Sequence, residues 1–218
     1  MGFTRIERFF SLFTHLRPGE GQAAARLCLQ CFGIMFAYYL LKVIREPMIL
    51  AEGSAELKAY STAVQAVLLM VIVPVFAHLY QRVAVHSGKY LLLHKTLLFF
   101  IANLLLFALA YRLGWPIAIL FYVWLGIFSV ITLALFWAFA ADLFNLKSGQ
   151  RIFPLVAAAS ALGALLGSGL SGWLYQQVGY AGVMYVAALL LLAPWWLCGR
   201  TESTVPVESK SNINTPPD

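Results

Sequence analysis

The sequence predicts an all-α membrane protein with six transmembrane helices, and three observations predict it. The first is composition. Of 218 residues, 61% are apolar and 11% charged, with a mean hydropathy of +0.81, against roughly 45–50% apolar in an average soluble domain. That balance excludes a soluble globular enzyme, a disordered chain and a disulfide scaffold. The second is length. A spanning helix needs about 20 mostly apolar residues, and six runs qualify, at 23–44, 61–82, 91–111, 116–142, 153–175 and 182–198. They are continuous and too long for the short alternating strands of a β-barrel. The third is the placement of Lys and Arg, which concentrate on cytoplasmic loops. With the N-terminus inside, the inner segments hold Arg5, Arg8, Arg17, Arg26, Arg82, Lys89, Lys95, Lys147, Arg151, Arg200 and Lys210. The outer ones hold Lys42, Arg45, Lys58 and Arg112. Both termini are therefore expected in the cytoplasm, with the chain integral to the inner (cytoplasmic) membrane and the lipid bilayer as its first partner.

Three segments follow. Residues 1–22 place Phe3, Ile6, Phe10 and Phe13 at helical spacing beside Arg5 and Arg8, which reads as an interfacial helix on the inner leaflet; the plain alternative is a disordered start. Residues 23–199 form the six-helix transmembrane domain. The first run starts late and no Ala-x-Ala site follows it, so it is expected to stay as a span rather than leave as a signal. The fourth run is longer than a bilayer is thick and should tilt or extend into the cytoplasm. Residues 200–218, rich in Ser, Thr, Pro and Asn, read as a flexible cytoplasmic tail or linker. The net charge of +6 is spread over short loops, so it signals topology and not a nucleic-acid partner.

The most informative stretch is Tyr38-Tyr39-Leu40-Leu41-Lys42-Val43-Ile44-Arg45-Glu46-Pro47. Tyr38, Lys42 and Arg45 share one helix face. Two cations beside a tyrosine suit an anionic substrate in a wet cavity, with Glu46 placed to balance one of them. The alternative ends the helix near Ile44 and lets both cations snorkel to the outer interface. The apolar Met48-Ile49-Leu50 favours continuation through Pro47. Asp142 closes the fourth run and Arg151 opens the fifth, which suggests a cytoplasmic ion-pair gate or, more plainly, a static helix-end pair. Ala159, Gly163, Gly167 and Ser171 recur at steps of four, a small-residue stripe that lets another helix approach closely.

Cys28 and Cys31 lack companions for a metal site and read as small apolar fillers. His78 and His94 read as interfacial polar residues. No phosphate-binding loop, nucleophile elbow or zinc-protease motif occurs, so neither an enzyme, a cofactor nor a metal is expected.

Several of these stretches resemble one family. The 38–47 segment is similar to its first-helix signature, Leu16-Arg17-Pro18-Gly19-Glu20-Gly21 to the segment before it, and Phe99-Phe100-Ile101-Ala102-Asn103-Leu104 to its third helix. Phe136-Trp137 through Asp142, Lys147 to Pro154 and Gly163-Ala164-Leu165-Leu166-Gly167 resemble its fourth and fifth helices. The family is the ATP/ADP antiporter-type nucleotide transporters, a branch of the major facilitator superfamily. The resemblance implies the N-terminal six-helix half of a twelve-helix bundle that works by alternating access. It implies exchange of anionic nucleotides, with Lys42 and Arg45 as phosphate contacts. The segment 81–89 departs from the wider superfamily by lacking the acidic residue of its loop motif. The expected function is thus half of a secondary transporter for an anionic small molecule, paired with a second six-helix half or with itself. A rival of another class is a non-transporting membrane module, a degenerate fragment or regulatory partner.

Overall fold

A computed structural model describes residues 21–87, 89–144 and 146–202. The expected interfacial helix at 3–16 lies outside them, as does the tail beyond Glu202. The described residues form five helices and no strand: α1 (Gly21–Glu52), α2 (Ala55–Ser87), α3 (Lys89–Arg112), α4 (Ala118–Leu143) and α5 (Leu146–Glu202). Each contains a stretch long and apolar enough to cross a membrane.

α1 continues through Pro47 to Glu52, as the apolar Met48-Ile49-Leu50 favours. Met48 and Ile49 are buried, so the extension is held by packing. A tight turn at Gly53-Ser54 follows, and Ser54 caps α2, its Oγ accepting from Leu57 N–H at 3.4 Å. The stretch expected as the second cytoplasmic loop, 81–89, is mostly helical, because α2 runs on to Ser87. No glycine or proline interrupts it between Pro74 and Gly88. α3 ends in a left-handed Gly114 with φ 80°. Trp115 N–H there reaches back to the Ala110 carbonyl at 3.1 Å and Gly114 N–H to Tyr111 at 3.0 Å, the pattern that closes orphan helix carbonyls. Glu52 Oε2 accepts from the Ala118 N–H at 3.1 Å, which caps α4 from the end of α1.

The runs at 153–175 and 182–198 fall on one element of 57 residues, which breaks at Gly179 with φ 67° and ψ −174°. An unbroken helix of that length would span about 85 Å at 1.5 Å per residue. The contacts show that the chain instead turns back. In the first arm, Gly163, Gly167 and Ser171 lie against Phe32, Phe36 and Leu40, so this arm runs parallel to α1. In the second arm, Pro194 meets Gln30 and Gly33, and Arg200 O accepts from Arg26, so it runs antiparallel. Gly163 and Pro194 would lie about 46 Å apart on a straight helix, yet they contact neighbouring residues of α1. Glycine is suited to the reversal because φ of this sign strains a residue with a Cβ.

α1 is the central element, packed by both arms of α5, by α4 and lightly by α2. The small-residue stripe of α5 lies directly on α1. Ser171 Oγ donates to Leu40 O at 2.8 Å, and Cys28 and Cys31 are buried free thiols. Between α3 and α4, Phe100, Phe107, Phe121, Trp124 and Phe128 pack with ring centroids 4.9–6.0 Å apart, within the range of favourable aromatic pairs. His94 stacks on Trp195 at 4.7 Å and its Nδ1 lies 3.2 Å from Trp195 O. α2 is peripheral, with Tyr60, Val67, Met70, Val71 and Val75 exposed.

Candidate functional site

α1 and α4 line a half-open cavity of about 240 Å³. From α1 it is lined by Ile34, Met35, Tyr38, Tyr39 and Lys42, and from α4 by residues between Phe128 and Leu133. The spacing on α1 follows from helical periodicity, since positions 34, 35, 38, 39 and 42 form one stripe. Lys42 Nζ lies 4.9 Å from the Tyr39 ring centroid and 5.8 Å from that of Tyr38, within reach of cation–π attraction. The Tyr38 ring meets Tyr39 edge-on at 5.2 Å and tilts against Phe128 at 6.3 Å. Among the described residues Lys42 has no carboxylate partner; the nearby carboxylate of Glu46 pairs with Arg45 and Lys58 instead.

Arg45 goes elsewhere. It lies three residues beyond Lys42, about 60° round the helix, and does not line the cavity. Its guanidinium carbon sits 4.1 Å from the Tyr122 ring centroid on α4, and its Nη2 is 3.4 Å from Glu46 Oε1. Its side chain is only 11% exposed. Glu46 also pairs with Lys58 across the α1–α2 turn. Tyr122, itself buried, shares a 3.0 Å hydrogen bond with Thr62 Oγ1. Because Thr62 Oγ1 donates to Lys58 O at 2.9 Å, the tyrosine hydroxyl is the donor to it. This cluster ties α1, α2 and α4 together beyond the cavity. Of the four residues expected to bind substrate, Tyr38 and Lys42 share the cavity, and Arg45 and Glu46 form a separate structural cluster.

Asp142 is exposed on the last turn of α4. Arg151 is partly buried near the start of α5, with its Nη2 donating to Ser148 Oγ at 3.4 Å. Both stand at the end of the bundle where α4 passes into α5. Among the described residues no three His, Cys, Asp or Glu side chains come together as a metal-ligand set. Two residues of these sites had not been singled out in the sequence. Tyr122 was lost in a run of aromatics. Thr132 is one of two aliphatic hydroxyls, with Ser129, in the apolar α4, and nothing in the sequence set it opposite Lys42.

No protein-family model matches the chain, and no curated protein or solved structure is significantly similar to it. The described residues are almost entirely helical, and their five long apolar helices suit a membrane. Further identification rests on the site.

Proposed function

We propose that this bundle is one wall of a secondary transporter for an anionic solute, with nucleotide exchange of the ATP/ADP type as the favoured activity. In this reading the two arms of α5 each cross the membrane, giving six spans of the major-facilitator type. Both termini then face the cytoplasm, as the Lys/Arg distribution favours. The observation that carries the reading is Lys42, a cation without a carboxylate partner, beside a cavity walled by aromatic rings. A cation at membrane depth costs roughly 2.5–3.5 kcal/mol on insertion scales, and such groups mark substrate paths. An anion entering the cavity offsets that cost through a charge-assisted hydrogen bond. The cavity lies on the α1–α4 seam, and a second bundle, another copy or a different chain, would close it from the far side and rock against this one.

The test is equilibrium binding of labelled ATP to the purified chain in lipid nanodiscs. Lys42→Ala should weaken binding at least tenfold, and Lys58→Ala should leave it within twofold of the wild type. Equal losses at both positions would show that general surface charge attracts the nucleotide.

A further inference from the structure

One polar group in the cavity is not explained by packing. Thr132 is 1% exposed and lines the same cavity as Lys42. Its hydroxyl has no hydrogen-bond partner among the described residues. Hydroxyls inside helices usually bond to a carbonyl three or four residues back. Ser61, Thr62, Ser129 and Ser168 do so, at 2.8–3.0 Å. Thr132 does not, although it sits on the same helix as Ser129 and one turn away. A buried hydroxyl left unsatisfied destabilises the fold, so its retention at a cavity wall opposite an unpaired ammonium calls for a ligand atom.

We propose that Thr132 is a substrate-binding residue whose hydroxyl donates to an oxygen of the acidic group that Lys42 attracts. The proposal rests on the reading above that the cavity takes an anion. It also narrows that reading. At about 240 Å³ the cavity is smaller than the roughly 300–1,000 Å³ of typical small-molecule sites. It therefore admits the acidic end of the solute, a phosphate or carboxylate, and leaves the remainder outside. Arg45 takes no part, because Tyr122 and Glu46 already occupy it. One ammonium and one hydroxyl, on facing helices, hold one oxyanion.

The experiment measures binding of labelled ADP and of labelled inorganic phosphate to the purified chain in nanodiscs, for wild type, Thr132→Val and Thr132→Ser. Thr132→Val should weaken both probes about ten- to a hundredfold, the effect of a lost hydrogen bond to a charged group. Thr132→Ser should retain binding within a few-fold. The Thr132→Val melting temperature should equal or exceed that of the wild type, since the change removes an unpartnered buried hydroxyl. Phosphate should compete with ADP, and adenosine should not. ADP binding that is the same in wild type and Thr132→Val overturns the inference and leaves the nucleotide reading standing, as does competition by adenosine without competition by phosphate. Phosphate binding that depends on Thr132, with no ADP binding, supports the inference and removes the nucleotide reading. Binding of neither probe overturns both.

Discussion

Adding a single methyl group at Gly163 or Gly167 should separate α1 from the first arm of α5. A Cβ at Gly163 would stand 2.5 Å from the Phe32 carbonyl oxygen and 3.2 Å from Met35 Cβ. At Gly167 it would stand 2.6 Å from the Phe36 oxygen and 3.1 Å from Tyr39 Cβ. Carbon–oxygen contacts settle at about 3.3–3.6 Å, and the obstructing oxygens are main-chain atoms of a helix, so the two helices must part by most of an ångström. Overpacking of this kind costs about 1–3 kcal/mol. Against it stands the gain of about 0.5–1 kcal/mol on replacing a mid-helix glycine by alanine. Gly169 and Gly172, on the same arm, have open space where a Cβ would go, so their alanine variants should show that gain alone. The assay is thermal unfolding in detergent, where a chain of this size shifts by about 2–4 °C per kcal/mol. Gly163→Ala and Gly167→Ala should melt several degrees below Gly169→Ala and Gly172→Ala. Equal melting temperatures across the four would refute the close approach of these helices. Gly167→Ala should also weaken ligand binding, because it displaces Tyr39, which lies under Lys42.

Arg45→Ala should lower the melting temperature through loss of the Tyr122 stack, a contact of roughly 0.5–2 kcal/mol, and leave ADP binding within about threefold; a loss matching that of Lys42→Ala would place Arg45 at the ligand after all. For the proposed topology, cysteines placed at Ser54 and Gln177 should react with an impermeant maleimide from the outside, and those at Ser87 and Gln150 only after the membrane is opened. Gln150 is exposed whereas Ser148 is buried, which makes it the better inner reporter, and the native Cys28, Cys31 and Cys198 are buried. Outside labelling at Ser87 would reverse the orientation.

The helices themselves were legible because membrane spans are written in long apolar runs: five of the six runs lie wholly within a described helix, and the fourth, from Pro116, enters its helix at Ala118. Their ends were legible only in part. By hydropathy the first run stops at Ile44, where charges at Lys42, Arg45 and Glu46 interrupt it, but the apolar Met48-Ile49-Leu50 pointed to continuation through Pro47, and the helix runs to Glu52 with Met48 and Ile49 buried. Likewise, hydropathy fades after Arg82, but the α2 backbone stays helical to Ser87, because polarity alone does not end a helix. The glycine stripe was readable as a packing surface from its period of four, though its partner was not, since a stripe carries no address. In the site, Lys42 and Arg45 looked equivalent from their spacing. Their separation depends on Tyr122, which reaches Arg45 from α4, and tertiary contacts of that kind leave no trace in a single sequence. Thr132 was hidden for the same reason.

The most direct test of the account is exchange in membrane vesicles prepared from cells that make the protein natively, where any second bundle is present. Uptake of labelled ATP should rise severalfold when the vesicles are preloaded with ADP, and this stimulation should vanish when the gene carries Lys42→Ala while Lys58→Ala preserves it. Uptake that ignores internal ADP, or that persists unchanged in Lys42→Ala, would contradict the assignment of the α1–α4 cavity as the transport site.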